Sequence, residues 1–288
     1  MAESLDCLEA TLAVFSQATQ ANLRTPGRLG IAVLLTPEWA DEVMVTGDLH
    51  GNRENFDRIK STADLANHPR RHLILQEVCH GGPTYPDGGG CMSHTVLEDV
   101  ARLKTAYPQQ VHFLLGNHEL AELAGFPIEK NRRMLNVMFR MGLEQRYGME
   151  FDRVRQAYSP FLRSCPLVVR LPHGVFISHS IPEKVDVRRF DMTVFAQPLE
   201  EIEFSQRSGI FDLVWGRDYR AENAAAFAQL VGAKVLIGGH EPCRSGFWAP
   251  NDVQIVLDCC GAHAAYVIIP VNEPLTHAEI LGRVCRLT

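Results

Sequence analysis

Five short apolar runs along the chain each lead into polar residues that can bind a metal ion. In order, the five segments read VMVTGDLHGN, HLILQEVCHGG, HFLLGNHE, GVFISHS and VLIGGHEP. Runs of this length that are rich in branched apolar residues are typical of buried β-strands. In an open α/β sheet, the loops after the carboxyl ends of the strands converge on one crevice. We therefore expect these polar residues to share one site.

The polar residues of these segments carry carboxylate, amide or imidazole groups. They are Asp48, His50, Glu77, His80, Asn117, His118, His179 and His240. A single residue of this kind after a strand is more often a turn or scaffold residue, but five segments with one pattern indicate a common function. Oxygen and imidazole ligands suit manganese, iron or zinc better than copper(I), which prefers sulfur. Two such ions about 3.5–4 Å apart can activate water and hold a transferring phosphoryl group.

The order of the sequence patterns predicts an α/β fold. Apolar side chains at helical spacing predict helices over residues 5–20, 53–67, 94–107 and 130–163, the last with an interruption near residues 147–148. Strand patterns cover residues 31–35, 43–46, 72–78, 111–115, 167–171, 175–178, 235–237, 253–258 and 266–269. Strands and helices alternate in the first half, as in βαβ units, and Pro172-His173-Gly174 predicts a hairpin turn in the second. We expect a single domain over residues 1–288, with the N-terminal helix of residues 1–22 as an appendage.

Charge and hydropathy exclude several kinds of partner. The formal net charge is −6, the pI is about 6.1 and the arginines are dispersed, so we expect no nucleic-acid partner. No apolar run approaches the roughly 20 residues that are needed to cross a bilayer, so we expect no membrane partner. The first twenty residues carry Glu3, Asp6 and Glu9 where a secretion signal has basic residues. We therefore expect a cytoplasmic protein, with its oligomeric state left open.

Five motifs occur in a characteristic order, which is GDLHGN, GNHE, a strand ending in histidine, WGRDY and GGHEP. In this order they resemble the motifs of calcineurin-like metallophosphoesterases, particularly the phosphoprotein phosphatase group and its bacterial relatives. The resemblance extends from about residue 43 to about residue 260. It implies an α/β fold in which two mixed β-sheets pack as a sandwich flanked by helices, with a dinuclear metal site at one edge. It also implies an enzyme, a phosphatase-like hydrolase.

The resemblance implies a set of metal ligands. These would be Asp48, His50, Glu77, Asn117, His179 and His240. Asp48 and His50 would hold the first ion, and Glu77 would bridge both ions. Asn117 and the two later histidines would hold the second. The implied cofactors are two transition-metal ions, which would be manganese, iron or zinc.

The resemblance also implies catalytic and substrate-binding residues. His118 would be the general acid that protonates the leaving oxygen, because an imidazole with an unperturbed pKa of about 6.5 titrates near neutral pH. Arg217 of WGRDY would act in catalysis by binding the substrate phosphate through its fork of N–H donors. Arg53, just after GDLHGN, is a second candidate for binding the substrate phosphate.

The second motif departs from the usual form of the family. Where the family has GDxxDRG, this chain has QEVCHGG. Glu77 takes the place of the bridging aspartate, and its extra methylene moves the carboxylate oxygens further from the backbone. His80 takes the place of the aspartate that orients the acid histidine, and Gly82 that of an arginine that grips phosphate. His80 could join the metal ligands or cap the loop, and Asp87 is a candidate for the replaced carboxylate.

Three functions are compatible with these motifs. The first is hydrolysis of phosphate monoesters, in a phosphorylated protein or a small phosphate ester. The second is hydrolysis of dinucleoside polyphosphates by the same fold, which GGHEP and the replaced arginine favour. The third is a metal-binding scaffold with weak catalysis, which the altered second motif favours.

Overall fold

The computed structural model describes residues 2–199, 205 and 208–288, without the side chains of residues 2–5 and 87. Its strands are β1 (Arg28–Leu29), β2 (Ala32–Leu34), β3 (Glu42–Asp48), β4 (Arg71–Gln76), β5 (Val111–Leu114), β6 (Glu129–Lys130), β7 (Arg133–Met134), β8 (Val168–Leu171), β9 (Val175–Ser178), β10 (Val235–Gly238), β11 (Phe247–Trp248), β12 (Gln254–Leu257), β13 (Ala265–Pro270) and β14 (Val284–Arg286). Its α-helices are α1 (Ala2–Leu23), α2 (Arg53–Ala63), α3 (Ser93–Ala106), α4 (Asn117–Ala124), α5 (Leu135–Tyr147), α6 (Phe151–Ser164), α7 (Gly209–Trp215), α8 (Ala221–Val231) and α9 (His277–Leu281).

Two mixed β-sheets form the centre of the fold. One has seven strands in the order β1-β2-β8-β9-β10-β12-β11, and the other has five in the order β14-β13-β3-β4-β5. Each sheet contains parallel and antiparallel pairs. The predicted architecture of two mixed sheets with flanking helices is confirmed. The turn predicted at residues 172–174 joins the antiparallel strands β8 and β9.

Side chains between the sheets follow the two-residue repeat of β-strands. In β3, Val43 and Val45 belong to the cluster between the two sheets, whereas Met44 belongs to the cluster that the helices cover. All three are fully buried. Burial of both faces explains why this strand is apolar over successive residues. Ile177 and Ile255 contribute to the same inter-sheet layer from the seven-stranded sheet.

The N-terminal helix α1, expected as an appendage, packs against α3 and α6. Phe15 is 1% exposed, and its ring centroid lies 6.3 Å from that of Tyr158 and 5.7 Å from that of Phe161. Leu8 and Ala18 on the same helix are also buried. In its packing, α1 is therefore part of the main hydrophobic core.

A short hairpin replaces the start of one predicted helix. The helix predicted from residue 130 begins at Leu135, because residues 129–134 form the antiparallel pair β6–β7. Asn131 and Arg132 form its turn with φ of 55° and 60°. Two-residue hairpin turns favour this left-handed pair because it matches the twist of the strands. The prediction is wrong over this helical turn.

A second predicted helix ends early. The helix predicted over residues 53–67 stops at Ala63, where Asp64 adopts a left-handed conformation with φ of 42°. A left-handed residue at this position ends a helix and lets its N–H bond back to the last turn. Helices α4, α7, α8 and α9 have no counterpart among the predicted elements.

The carboxyl ends of strands from both sheets meet at one edge of the sandwich. β3, β4 and β5 are parallel neighbours in one sheet, and β9 and β10 are parallel neighbours in the other. Asp48 and Asp258 form an isolated β-bridge between the two sheets, and Cys259 N donates to Asp48 O at 3.0 Å. Loops that are distant in sequence therefore leave the sheets side by side.

No helix in the described part of the chain is both long enough and apolar enough to cross a lipid bilayer.

Candidate metal centre

Glu77 lies at the centre of the residues that the sequence predicts to bind metal. Its two carboxylate oxygens face different imidazoles. Oε1 lies 3.2 Å from Nε2 of His50, and Oε2 lies 3.1 Å from Nε2 of His179. Glu77 is only 1% exposed, so solvent does not separate these groups. One carboxylate with its two oxygens in separate groups of ligand atoms is suited to bridging two cations.

One group of ligand atoms surrounds the amide oxygen of Asn117. This oxygen lies 2.8 Å from Nδ1 of His240 and 3.2 Å from Nε2 of His179. The two imidazole nitrogens are 3.2 Å apart. Together with Oε2 of Glu77, they form a compact, buried set of one amide oxygen, one carboxylate oxygen and two imidazole nitrogens.

The other group contains His50 and His118 beside Glu77, whereas Asp48 lies against the first group. Asp48 Oδ2 accepts a hydrogen bond from the backbone N–H of His240 at 2.9 Å, and Oδ1 lies 3.5 Å from Nδ1 of His179. Ligand atoms of Asp48, Glu77 and His179 lie within 4.8 Å of one another. The structure thus brings all six predicted ligands together from both sheets.

Three buried polar atoms in this cluster have no hydrogen-bond partner among the residues that the structure describes. They are Asp48 Oδ1, His179 Nδ1 and His240 Nε2. Burial of such atoms without a partner costs free energy, and folded proteins rarely leave them so. The atoms that could bind a metal ion here are carboxylate and amide oxygens and imidazole nitrogens. Such a set of ligands fits transition-metal cations.

The electrostatics of the cluster also favour a positive charge within it. Burial alone would raise the pKa of Glu77, but His118, His179 and His50 hold that pKa well below its usual value. Burial raises the pKa of Asp48 to about 7, against the opposing effect of His179. Burial would lower the pKa of His179, yet Glu77 and Asp48 outweigh it and raise this pKa to about 9. The two buried carboxylates therefore stabilise a cation beside them.

Four residues of the site have left-handed backbone conformations that non-glycine residues seldom adopt. The φ angles are 43° at His50, 30° at Glu77, 64° at His80 and 72° at His240. Such conformations cost on the order of 1–3 kcal/mol each, and they persist where surrounding contacts enforce them. Each residue follows a strand, so the strained turn redirects its side chain into the shared site.

Two glycines leave space for the carboxylates. A Cβ at Gly116 would lie 2.0 Å from Oε2 of Glu77, and a Cβ at Gly239 would lie 2.1 Å from Oδ1 of Asp48. Both distances are far below a normal contact. The glycines in GNHE and GGHEP are therefore required by the close approach of a carboxylate oxygen to the backbone.

Glu119 holds the altered second motif in place. Its Oε1 accepts from Val78 N at 2.8 Å and from Cys79 N at 2.6 Å, and its Oε2 accepts from Gly116 N at 3.0 Å. Glu119 is fully buried. The site residues predicted from sequence do not include it, although its position three residues after Gly116 is that of a capping-box glutamate.

His80 links His118 to a second buried carboxylate. His80 Nδ1 lies 3.0 Å from His118 Nδ1, and His80 Nε2 lies 2.9 Å from Oε1 of Glu122. His80 belongs to neither group of potential metal ligands, and its ring does not cap the loop. Sequence reasoning missed Glu122, although its spacing of four residues from His118 on α4 was a usable signal. The side chain of Asp87, the other candidate, lies outside the described residues.

The protonation of His118 depends on its surroundings. Burial lowers its pKa to about 3, and the neighbouring imidazoles of His50, His80 and His179 act in the same direction, whereas Glu77 raises it. A proton on this ring therefore needs compensating negative charge nearby.

An open cavity of about 680 Å³ lies over the cluster. His50, His118, Arg53 and Lys130 are among its lining residues. The guanidinium of Arg53 is bound to Asp99 and donates to Thr95 Oγ1 at 3.1 Å. Lys130 lies on the β6–β7 hairpin and forms no salt bridge with any residue that the structure describes. Sequence reasoning missed Lys130, because the hairpin lies inside a predicted helix.

Arg217 lies outside the residues that line this cavity. Its side chain is 50% exposed and forms a salt bridge with Glu241, the residue after His240. The backbone N–H of Arg217 donates to Glu183 at 2.9 Å. Arg217 is thus held near the metal cluster, but its guanidinium is engaged by a carboxylate.

A sandwich of two mixed sheets with carboxylates, an amide and imidazoles at the strand ends, arranged around one shared glutamate, defines a metal-dependent phosphoesterase. Residues 42–244 match the calcineurin-like phosphoesterase family. The chain belongs to this family, and it is a hydrolase of the phosphatase type. The family resemblance and the enzyme class predicted from the motifs are confirmed.

The chain is also similar to individual phosphatases. It is 26% identical over 254 residues to a probable serine/threonine-protein phosphatase of Encephalitozoon cuniculi, covering 79% of this chain and 48% of the relative. The chain thus spans about half the length of this curated relative.

Solved structures show the same fold at low identity. A Saccharomyces cerevisiae protein serine/threonine phosphatase with similarity to human phosphatase PP5 matches with a TM-score of 0.70 at 12% identity, covering 96% of this chain and 88% of that one. A cold-active protein-tyrosine phosphatase of a psychrophilic Shewanella matches with a TM-score of 0.63 at 13% identity, covering 91% and 83%.

Proposed function

We propose that the chain hydrolyses phosphate monoesters at a dinuclear metal centre. The observation that carries the proposal is the position of Glu77, whose oxygens lie 3.2 Å from His50 and 3.1 Å from His179 in separate groups of ligand atoms. The proposed ligands are Asp48, His50, Glu77, Asn117, His179 and His240. The proposed ions are two of manganese, iron or zinc, because these accept mixed oxygen and imidazole ligands.

In this proposal, the ions supply an activated water and neutralise charge on the phosphoryl group when they are bound. His118 protonates the leaving oxygen. Its Nε2 lies 3.9 Å from Oε1 of Glu77, on the side of the ring that faces the cluster, and the residue lines the cavity. Its Nδ1 is turned towards His80. A proton on Nε2 would therefore be held where the leaving group departs.

The proposed substrates are phosphorylated proteins, and small phosphate esters are the next candidates. The names of the similar phosphatases support phosphoproteins, and the open cavity of about 680 Å³ has room beyond a phosphate group. Arg217 and Arg53 stay proposed contacts for the phosphate, but both are already paired with carboxylates. Lys130 supports phosphate binding more directly, because it lines the cavity without such a pair. A cytoplasmic location stays a prediction.

Hydrolysis of dinucleoside polyphosphates is a second candidate, favoured by one observation. A neighbouring cavity of about 440 Å³ shares Gly82 and Lys130 with the first and is also lined by Arg133. Two adjoining cavities with cationic side chains could accept a longer polyanion than a monoester.

Assays after loading with each metal test these alternatives. Protein loaded with Mn²⁺, Fe²⁺ or Zn²⁺ should hydrolyse p-nitrophenyl phosphate and a phosphoserine peptide faster than diadenosine tetraphosphate.

The variant Glu77→Gln should contain less bound metal by elemental analysis. Its kcat should fall by roughly 100-fold or more, because the bridging charge is removed. Glu98→Gln alters a buried carboxylate away from the cluster and should retain both. Metal uptake without turnover of any ester would overturn the proposal and favour the scaffold, and preference for diadenosine tetraphosphate would favour the second candidate.

A further inference from the structure

Glu122 is a buried carboxylate outside the metal cluster. The side chains of Glu122 and His80 are both 0% exposed, and their facing atoms are 2.9 Å apart. Within the described residues, no lysine or arginine forms a salt bridge with Glu122. Its other partners are neutral donors, Asn136 Nδ2 at 3.0 Å and Tyr158 OH at 3.3 Å. Because a buried carboxylate is costly without compensating partners, its imidazole neighbour is the contact that gives it a function.

Hydrogen-bond chemistry determines where the protons lie in this chain of groups. A carboxylate only accepts, so His80 donates to Glu122 from Nε2. When Nε2 carries the only proton of the His80 ring, its Nδ1 is an acceptor, and His118 donates to it from its own Nδ1 across 3.0 Å. This tautomer leaves Nε2 of His118 directed at the metal cluster.

The surrounding residues pack against His80 and restrict its ring. Its ring meets Phe139 edge-on, with centroids 5.6 Å apart and planes at 79°. Its backbone N–H donates to Ser93 Oγ at 3.1 Å. On the other side of Glu122, Asn136 is itself held by a hydrogen bond from Ile128 N at 2.8 Å. Contacts on both sides therefore hold the link from Glu122 to His118, which is also buried.

We propose that His80 and Glu122 are positioning residues for His118, which fix its ring orientation and keep its Nδ1 proton in place. When the ring also carries a second proton, that proton lies on Nε2, and its transfer to the leaving oxygen returns His118 to the neutral ring with Nδ1 protonated. The inference rests on the proposed function, because positioning affects catalysis only if His118 is the proton donor. It assigns to this chain a relay of two residues where the motif of the family places one carboxylate.

A comparison of leaving groups tests this relay. Glu122→Gln keeps the shape of the side chain but removes its charge. We expect a fall in kcat of about 10–100-fold with phenyl phosphate, a much smaller fall with p-nitrophenyl phosphate, and little change in KM or metal content. The less basic nitrophenolate leaves without a proton. Only the rate with phenyl phosphate therefore depends on proton donation by His118. The matched control is Glu98→Gln, which removes the charge from another buried carboxylate–histidine pair, with His94 3.0 Å away, and should act as the wild type.

The outcomes separate the relay from the wider proposal. His118→Asn should show the same selective fall in kcat with phenyl phosphate, and the fall should be larger than in Glu122→Gln. If His118→Asn is selective and Glu122→Gln lowers kcat equally for both substrates or loses metal, Glu122 is only structural and the relay is wrong.

If neither ester is hydrolysed by the wild type, the proposed function fails, and the relay is then judged by nitrogen NMR. The ¹⁵N spectrum of the metal-free protein should show His118 protonated at Nδ1, and Glu122→Gln should shift this tautomer. An unchanged tautomer would overturn the inference without any measurement of activity.

A rescue experiment gives a second test of the relay. The atom of His80 that contacts His118 is Nδ1, which is bonded to Cγ, so an aspartate oxygen can occupy the same position. Aspartate also tolerates the left-handed φ of 64° at residue 80. His80→Asp should therefore restore the hydrolysis of phenyl phosphate in the Glu122→Gln background, whereas His80→Asn should not. Equal rates for the two double variants would contradict the relay.

Discussion

Gly116 leaves the space that the carboxylate of Glu77 occupies, because glycine has no Cβ. A Cβ at this position would lie 2.0 Å from Oε2 of Glu77. We expect Gly116→Ala to displace Glu77, to lower metal affinity and kcat by roughly 10–100-fold, and to cost about 1–3 kcal/mol of stability through overpacking. Metal titration and kcat measurements check this. Gly261→Ala has no neighbouring atom within 4 Å and is the control. Wild-type metal binding by Gly116→Ala would contradict the expectation.

Lys104 makes the stability of the fold depend on pH. It is 1% exposed, with Nζ donating to Thr25 Oγ1 at 3.0 Å and to Val111 O at 2.9 Å. Burial lowers its pKa from 10.5 to about 7. Between these values, the folded chain holds the amine neutral while the unfolded chain binds a proton, so this lysine contributes stability that rises with pH. Below pH 7 both states are protonated, and the full cost of burying the charge is present.

The prediction for Lys104 is a loss of this pH dependence in Lys104→Met. From pH 7 to pH 10, the free energy of unfolding of the wild type should rise relative to that of the variant, by a few kcal/mol at most. Urea denaturation at several pH values measures this difference. Lys60→Met, which changes an exposed lysine on α2, should follow the wild type. Parallel curves for wild type and Lys104→Met would show that the amine stays charged in the fold.

At the scale of elements, the start of α4 determines the position of the second motif. Glu119 accepts three backbone N–H groups, two of them from the loop after β4. Glu119→Gln leaves one of these groups facing an amide donor, so we expect a loss of about 1–3 kcal/mol in the free energy of unfolding. The control is Glu279→Gln, which alters an exposed capping box on α9 and should cost less. Equal losses in urea denaturation would contradict a special role for Glu119.

The β6–β7 hairpin is the element from which we expect substrate selectivity. Lys130 on this hairpin lines both adjoining cavities. We expect Lys130→Gln to raise KM for p-nitrophenyl phosphate by about fivefold with little change in kcat, because an exposed charge contributes roughly 1 kcal/mol at most. Steady-state kinetics at low and high salt check this, since screening should reduce the difference. Lys60→Gln is the matched control, and an unchanged KM in Lys130→Gln would remove the hairpin from substrate binding.

At the scale of the whole molecule, the proposed centre joins the two sheets. Asp48 ends one strand of the five-stranded sheet and Glu77 follows another, whereas His179 and His240 follow strands of the seven-stranded sheet. Metal bound by both sheets stabilises the folded state alone, by about 2.7 kcal/mol at a concentration of 100 times Kd. We expect chelation to lower Tm by several degrees in the wild type and to have no effect on Glu77→Gln. Calorimetry with and without EDTA measures this, and an unchanged wild-type Tm would contradict a shared metal.

Local patterns carried much of the prediction of fold and site. The runs around Asp48, Glu77 and Asn117 read as strands because branched apolar residues repeat over a few positions, and their polar ends pointed to one edge of the sandwich. The hairpin at residues 129–134 escaped prediction because a two-residue turn can interrupt a helical pattern without glycine or proline. The packing of Phe15 in the core also escaped, because its partners lie more than a hundred residues away in the chain.

By itself, the sequence determined the longer strands, the family and the six clustered residues of which Glu77 is one, because periodicity and motif order are local properties of the chain. Only the tertiary structure decided what replaces the altered second motif. His80 and Glu122 act on His118 through hydrogen bonds of 3.0 and 2.9 Å. Such bonds depend on direction and on burial, and both arise only when the loop after β4 packs against α4.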